Sequence, residues 1–167
     1  RNIVFPVDGE AGGTWIAASE NGRLVCLLNG AFEKHKHEPP YRKSRGLIVL
    51  ESFNYDNFHD FTDSFGLENI EPFTLVVFET KKNEIIDFRW DGNKKHVKSI
   101  DVKNKHIWSS ATLYGTEIRL ERENWFNQWF SVNNSDKESA KNFHLKGGKG
   151  TEENNFLMKR PDGVQTV

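Results

Sequence analysis

The spacing of hydrophobic residues takes two forms along this chain, one typical of strands and the other typical of helices. The stretch GGTWIAASENGRLVCLLNG favours two short strands around Asn21-Gly22, because Asn and Gly adopt the positive φ angles of a two-residue hairpin turn. The stretch ends on a second such pair, Asn29-Gly30, after an apolar strand. Three later runs are typical of strands joined by tight turns: FTLVVFE, EIIDFRW and KHVKSI.

Helical spacing of apolar residues begins after a polar loop in the first half of the chain. Pro39-Pro40 excludes a helix within that loop. From Arg45 to Phe53 the apolar positions suit a helix, and Ser44 is its candidate N-cap. Three phenylalanines then continue the helical spacing: Phe58, Phe61 and Phe65.

The second half of the chain predicts two more helices and three more strands. One apolar face indicates a helix from about Thr116 to Val132. Ser135 with Glu138 forms a capping box for a short helix that ends at His144. The further strand candidates are HIWSSATL, NNFLMKR and GVQTV. This order of elements indicates an α+β fold with largely antiparallel strands.

Length, charge and cysteine content narrow the class of protein. We expect residues 1–167 to form one domain. The net charge of −1 gives no global field that favours nucleic acid, and the apolar runs are too short to span a bilayer. The only cysteine, Cys26, excludes an internal disulfide and favours a reducing compartment, which we take to be the cytoplasm. The sequence starts at Arg1 without Met and stops within a strand candidate, so we expect further residues at both ends and leave a signal peptide open.

Cysteine and histidine often take part in catalysis or metal binding, but their surroundings in this sequence favour a structural role. Cys26 lies in an apolar strand with no neighbouring cation, so we expect a buried, unreactive thiol. His35 and His37 lie close to two glutamates, but no third strong ligand has the spacing of a known metal site. We therefore expect a solvated loop there and no metal.

Cationic residues in the same loop raise the alternative of an anion site. Arg42 and Arg45 flank the Ser44 cap, where the free amides and dipole of the following helix favour an anion. Lys34 and Lys36 lie farther away and would steer the ligand more than hold it. The competing interpretation is a loop that is merely solvated.

Several blocks of the sequence resemble one family over essentially the whole chain. The blocks are AGGTWIAASENGRLVCLLNG, YRKSRG, EPFTLVVF, WDG, IWSSATLY and RPDGVQTV. They resemble the NRDE family, also called the transport-and-Golgi-organisation protein two family, and most of all its bacterial branch. The resemblance implies a fold similar to the N-terminal-nucleophile (Ntn) hydrolases, a four-layer αββα sandwich with mostly antiparallel sheets.

The resemblance also implies a catalytic arrangement, of which this sequence contains a part. Family members typically begin Met-Cys, followed by an Asn-Arg-Asp-Glu stretch, and neither is present here, so we expect the chain as given to be inactive. Asn29 corresponds in position to an Asn that helps form the oxyanion hole in the related choloylglycine hydrolases. A side-chain amide can donate to a developing oxyanion. The alternative is that Asn29 only ends the strand and turns the chain.

Ser110 departs from the family pattern. Many members have Ser-Asn-Ala where this chain has Ser109-Ser110-Ala111, and the resemblance implies that this position contributes to the catalytic site. Ser110 is therefore a candidate catalytic residue, because its hydroxyl can still hydrogen-bond, although it offers one donor with a shorter reach.

Two functions follow from the resemblance: an amide (C–N) hydrolase, or a non-catalytic binder or carrier of haem or acyl-CoA-type anionic lipophilic ligands. A scaffold without a small ligand is a third. The first two functions predict a small-molecule substrate or ligand and no required cofactor, and haem is a ligand only for the binder.

Overall fold

The computed structural model describes residues 2–9, 11–161 and 163. The chain divides into two compact units, residues 1–106 with 110–113 and residues 107–109 with 114–167. The described residues form six strands and four α-helices. The strands are β1 Ile3–Val4, β2 Ile16–Ser19, β3 Arg23–Asn29, β4 Phe73–Glu79, β5 Glu84–Trp90 and β6 Lys95–Ile100. The helices are α1 Arg45–Glu51, α2 Phe58–Ser64, α3 Thr116–Val132 and α4 Lys137–Lys146.

The first unit contains a six-stranded sheet in which each strand pairs antiparallel with the next along the chain. The hairpin between β2 and β3 has a three-residue loop, residues 20–22, so the predicted two-residue turn is wrong. Gly22 alone in this loop has a positive φ, at 91°, and its N–H donates to the Ser19 carbonyl at 2.9 Å. Glycine therefore provides the left-handed conformation that closes this hairpin.

One face of the sheet forms the core of this unit with α1 and α2. On strand β4, the side chains of Phe73, Leu75 and Val77 are buried on the core face, and Val76 is half-buried on the other face. On the core face, aromatic rings of α2 pack edge-on against Phe88 of β5. Apolar residues nevertheless occur on both faces of β4, so burial and not the apolar pattern identifies the side that packs against the helices.

Cys26 lies on the opposite face of the sheet and is half-buried rather than fully buried as predicted. Partial burial still raises the pKa of its thiol. A raised pKa keeps the sulfur protonated near neutral pH, and the thiolate is the reactive form. The unreactive character of Cys26 stays a prediction that this environment favours.

In the second unit, helix α3 has the predicted bounds and helix α4 has a different cap. Asp136, and not Ser135, is the N-cap of α4, because its carboxylate accepts from the Ser139 N–H at 2.8 Å. Aromatic side chains surround the fully buried Phe143, including Phe156 at a ring-centroid distance of 4.4 Å. Three others complete this cluster: Phe126, Trp129 and Phe130.

Two of the three late strand predictions are wrong. Residues 106–113, the HIWSSATL candidate, form turns and irregular backbone, and residues 154–160 contain a single bridge at Lys159. Residues 164–167 of the third candidate, GVQTV, lie outside the described residues. Short apolar runs of this kind do not distinguish a strand from a packed loop.

The predicted mixed α+β class with antiparallel pairing is confirmed. The described residues contain one sheet, so the expected αββα layering stays a prediction. None of the described helices combines the length and the apolar character needed to cross a membrane. The expectation that residues 1–167 form one domain also stays a prediction.

Candidate functional site

A cleft of about 460 Å³ in the first unit brings several of the sequence blocks together. Two predicted site residues, Asn29 and Arg45, line it. The full lining is Asp8, Ala11, Thr14, Trp15, Leu27, Asn29, Tyr41, Lys43, Ser44, Arg45, Gly46 and Glu71. Segments distant in sequence therefore meet at the end of β3 and the start of α1.

Two glycines allow the segment before β2 to cross the start of α1. A Cβ on Gly13 would lie 2.5 Å from the carbonyl carbon of Gly46, and a Cβ on Gly46 would lie 2.8 Å from the Thr14 nitrogen. The Thr14 N–H donates to the Gly46 carbonyl at 3.3 Å. Any larger residue would force these backbones apart, so the Gly-Gly-Thr and Ser-Arg-Gly blocks form one side of the cleft by direct contact.

Asn29 presents an unengaged amide at the edge of the cleft. It is the last residue of β3, and its side chain is exposed and makes no hydrogen bond to another described residue. Its backbone is fixed, because its carbonyl accepts from the Ser110 hydroxyl at 2.8 Å and from the Thr112 N–H at 3.4 Å. Gly30 then turns the chain with φ 81°. The amide donors of Asn29 are therefore available to a ligand.

Ser110 reaches the site through the backbone of Asn29. Its hydroxyl oxygen also lies 3.0 Å from that of Thr112, so the two hydroxyls share a hydrogen bond beside the end of β3. Ser110 is not among the residues that line the cleft. Its contact supports a role in holding Asn29 rather than in touching a ligand.

Arg45 begins helix α1 directly after the Ser44 cap. Ser44 Oγ accepts from the Leu47 N–H at 3.4 Å, which confirms the predicted N-cap. The Arg45 guanidinium donates to the Pro72 carbonyl at 3.4 Å and pairs with Glu71 Oε2 at 3.2 Å. Burial lowers the pKa of Arg45, and the charge of Glu71 opposes that shift. The cation is thus already paired where it lines the cleft.

Glu71 opens the EPFTLVVF block, but no sequence pattern indicated its role in this site. Its Oε1 lies 3.0 Å from His35 Nε2 and 3.0 Å from His37 Nδ1, while Oε2 faces Arg45. Burial would raise the pKa of Glu71, but the hydrogen bonds from His35 and His37 and the charge of Arg45 outweigh burial and lower it. Glu71 therefore carries its negative charge at the wall of the cleft.

The remaining predicted anion ligands lie away from the cleft. Lys34 is exposed, and Lys36 pairs with exposed Glu38 at 2.9 Å. Arg42 donates to the Gly66 carbonyl at 2.6 Å, and its guanidinium lies over the Phe65 ring. Within the described residues, the structure thus brings only Arg45 of these four cations to the cleft. A second lining cation, Lys43, pairs with a glutamate of α1, Glu51.

Two histidines, His35 and His37, converge on one glutamate. Across the described part of the chain, no group of three or more His, Cys, Asp or Glu side chains is arranged to hold a metal ion. The hydrogen bonds of His35 and His37 instead use the carboxylate as an acceptor.

Comparison with known proteins identifies the family. A search of curated proteins found no match to this chain. The sequence model described as Transport and Golgi organisation 2 matches residues 1–158, which includes both glycine blocks, Asn29 and Glu71. The chain therefore belongs to the Transport and Golgi organisation 2 family, which is the NRDE family that its motifs resemble.

Proposed function

We propose that this chain carries the oxyanion-binding part of an Ntn-type amide (C–N) hydrolase. The observation that supports the proposal is the unengaged carboxamide of Asn29 in a cleft whose cations are already paired. A preorganised neutral donor stabilises the charge that develops on a carbonyl oxygen, without binding the ground state as strongly.

The chemistry assigns separate roles to the residues of the cleft. The expected nucleophile is an N-terminal cysteine, which the family resemblance implies and this sequence lacks. Its sulfur would attack the amide carbon, and the Asn29 amide would donate to the oxygen as it becomes negative. The C–N bond then breaks as the leaving amine gains a proton, and water hydrolyses the thioester. We place this activity in the cytoplasm, because a single cysteine suits a reducing compartment.

The test is amide hydrolysis by the protein purified with its native N-terminus. A panel of fluorogenic acyl amides is compared for wild type, Asn29→Ala and the control Asn21→Ala, which lies in the exposed β2–β3 loop. We expect Asn29→Ala to lower kcat about 10²–10³-fold with little change in KM, because the donor acts on the transition state. Hydrolysis that is equal in the two variants would contradict the proposal, as would a complete absence of amide hydrolysis by wild type.

A second candidate function is binding of an anionic lipophilic ligand such as haem or an acyl-CoA-type lipid. It is supported by an apolar wall, Trp15 and Leu27, beside the cations Lys43 and Arg45. Trp15 is 51% exposed and available for contact with a planar or aliphatic group.

The binding proposal is tested by titration with hemin and with an acyl-CoA. Arg45→Ala removes a cation of the cleft, and Lys34→Ala removes an exposed cation outside it as a matched control. We expect the first variant alone to weaken binding, by about ten-fold for one charge-assisted hydrogen bond, and added salt to weaken it further. Equal binding by both variants, or no binding by wild type, would contradict this function.

A further inference from the structure

The segment of residues 33–41 is the middle part of the connection between β3 and α1, which spans residues 30–44, and it has no regular secondary structure. Within the described residues, its hydrogen bonds to the rest of the chain run to Glu71 alone, from His35 and His37. The other polar contacts are internal, such as the Glu38 N–H that donates to the Tyr41 hydroxyl at 2.7 Å. Because Tyr41 lines the cleft, the position of this segment determines part of the cleft wall.

The carboxylate that holds this segment also holds the cation of the cleft. One oxygen of Glu71 accepts from the two imidazoles, and the other faces Arg45. The Glu71 side chain is 15% exposed, so these interactions are partly shielded from water. Its neighbour Pro72 is fixed as well, since the Pro72 carbonyl accepts from the Gly30 N–H at 3.0 Å. The carboxylate therefore has a rigid base next to the start of β4.

We propose that Glu71 is a positioning residue of this site, which fastens segment 33–41 to the wall of the cleft and holds the Arg45 guanidinium within it. This deepens the proposed hydrolase function, on which its catalytic consequence rests. The fastening itself has readouts that need no activity.

The geometry assigns the ring nitrogen of each imidazole that donates to Glu71. An ionised carboxylate only accepts hydrogen bonds, so the ring nitrogen that faces Glu71 must carry the hydrogen. His35 then carries it on Nε2 and His37 carries it on Nδ1. When both rings are neutral they are therefore opposite tautomers. His35 Nδ1 becomes a buried acceptor with no partner among the described residues.

The first experiment records long-range ¹H–¹⁵N spectra of the histidine side chains, assigned with His35→Gln and His37→Gln. We expect the neutral rings of His35 and His37 to show opposite tautomers in wild type and in the control Glu51→Ala, which removes the partner of Lys43 and leaves Glu71 in place. Glu71→Ala should abolish the fixed Nδ1–H signature of His37. The same tautomer in both rings of wild type would overturn the fastening.

The second experiment measures limited tryptic cleavage after Lys34 and Lys36, which lie exposed in the segment. We expect cleavage to be about ten-fold faster in Glu71→Ala than in wild type or Glu51→Ala, because the charge-assisted hydrogen bonds to the segment are lost. Circular dichroism checks that each variant is folded. The double variant His35→Gln/His37→Gln breaks the same contacts from the other side and should give the same increase. Unchanged cleavage in both variants would overturn the proposal.

Kinetics separate this proposal from the proposed function. In the protein with its native N-terminus, Glu71→Ala should raise KM about ten-fold and change kcat much less, and Glu71→Asp should restore KM in part. If cleavage and tautomers change as expected but wild type hydrolyses no amide, the fastening role stands and the hydrolase proposal fails. If Asn29→Ala lowers kcat but Glu71→Ala changes neither KM nor cleavage, only the role of Glu71 is overturned.

Discussion

At the scale of single residues, one buried arginine joins β3 to the chain that follows α1. Arg23 is 4% exposed, and its Nε donates to Glu79 at 2.7 Å. Its terminal nitrogens donate to the backbone carbonyls of Ser52, Tyr55 and Asp56. A shorter side chain removes all of these hydrogen bonds and the ion pair from a buried position, so Arg23→Ala should lower the free energy of unfolding by about 3–5 kcal/mol.

Urea denaturation followed by circular dichroism measures this loss. Arg23→Lys should lose somewhat less, because an ammonium keeps the charge but cannot match the fork of a guanidinium. Lys81→Ala, at an exposed position of the β4–β5 hairpin, is the control and should change stability by less than about 0.5 kcal/mol. If Arg23→Ala matched that control, the buried network would contribute no net stability.

The lowered pKa of Asp91 predicts that the stability of the protein depends on pH. Burial would raise its pKa, but hydrogen bonds from the backbone N–H groups of Lys94 and Asn93 and from His96 lower the pKa from 3.8 to about 2. A carboxyl group whose pKa is depressed in the folded state contributes stability that is present above its unfolded pKa. That contribution should be lost as the pH falls from about 4 to about 2. It is absent at every pH in Asp91→Asn.

The measurement is the free energy of unfolding of wild type and Asp91→Asn as a function of pH. We expect the difference between them to be constant above about pH 4.5 and to shrink towards pH 2. A carbon-13 titration of the Asp91 carboxyl group gives the folded pKa directly. A midpoint near 3.8 in that titration would contradict the structure of this turn.

Sequence motifs predicted only some of the residues of the candidate site. Asn29 and Arg45 belong to recognisable blocks, and both line the cleft. Arg42 has the same residue type in the same block, yet its guanidinium binds carbonyls of residues 66 and 68. Glu71 also opens a recognised block, EPFTLVVF, but its contacts lie 26 to 36 positions earlier in the chain, and nothing within the block indicates them. Charge density along a loop therefore does not determine which side chains converge, because backbone contacts distant in sequence select them.

At the scale of elements, strong periodicity predicts well and short apolar runs do not. Helix α3 and strands β4 to β6 have the bounds that their patterns indicate. Helix α1 ends at Glu51 instead of Phe53, and residues 52–54 continue it as a 3₁₀ turn. Residues 106–113 form no strand, since Ser110 and Thr112 both donate to the one carbonyl of Asn29. Tertiary contacts of this kind override local propensity.

The contact between the Gly-Gly-Thr block and α1 gives a prediction at the same scale. Gly13→Ala places a methyl group 2.5–2.7 Å from backbone atoms of Gly46 and Leu47, and backbone cannot move aside as a flexible side chain can. We expect a loss of about 1–3 kcal/mol in unfolding free energy and a displaced cleft wall at Thr14. Gly9→Ala is the control, because a Cβ there meets nothing within 4 Å. Equal stability of the two variants, measured by urea denaturation, would show that the backbones do not cross this closely.

At the scale of the whole molecule, each compact unit has a hydrophobic cluster of its own. The buried core of the first unit draws its residues from the range 17–90. The second unit gathers aromatic rings around Phe143, and Arg122 lies between Tyr114 and Phe156 at 4.2 and 4.1 Å from their ring centroids. A unit with its own core can fold by itself when the buried apolar area is sufficient.

We therefore expect a fragment of residues 1–113 to fold, because it contains the whole sheet, both short helices and the cleft. Urea denaturation followed by far-ultraviolet circular dichroism should show one cooperative transition with a slope of about 1–2 kcal/mol/M. Arg23→Ala within the fragment should lower its midpoint, which tests that the native core has formed. An unfolded fragment would instead support one cooperative domain over residues 1–167. A folded fragment that keeps opposite tautomers of His35 and His37 would place the complete Glu71 arrangement within the first unit.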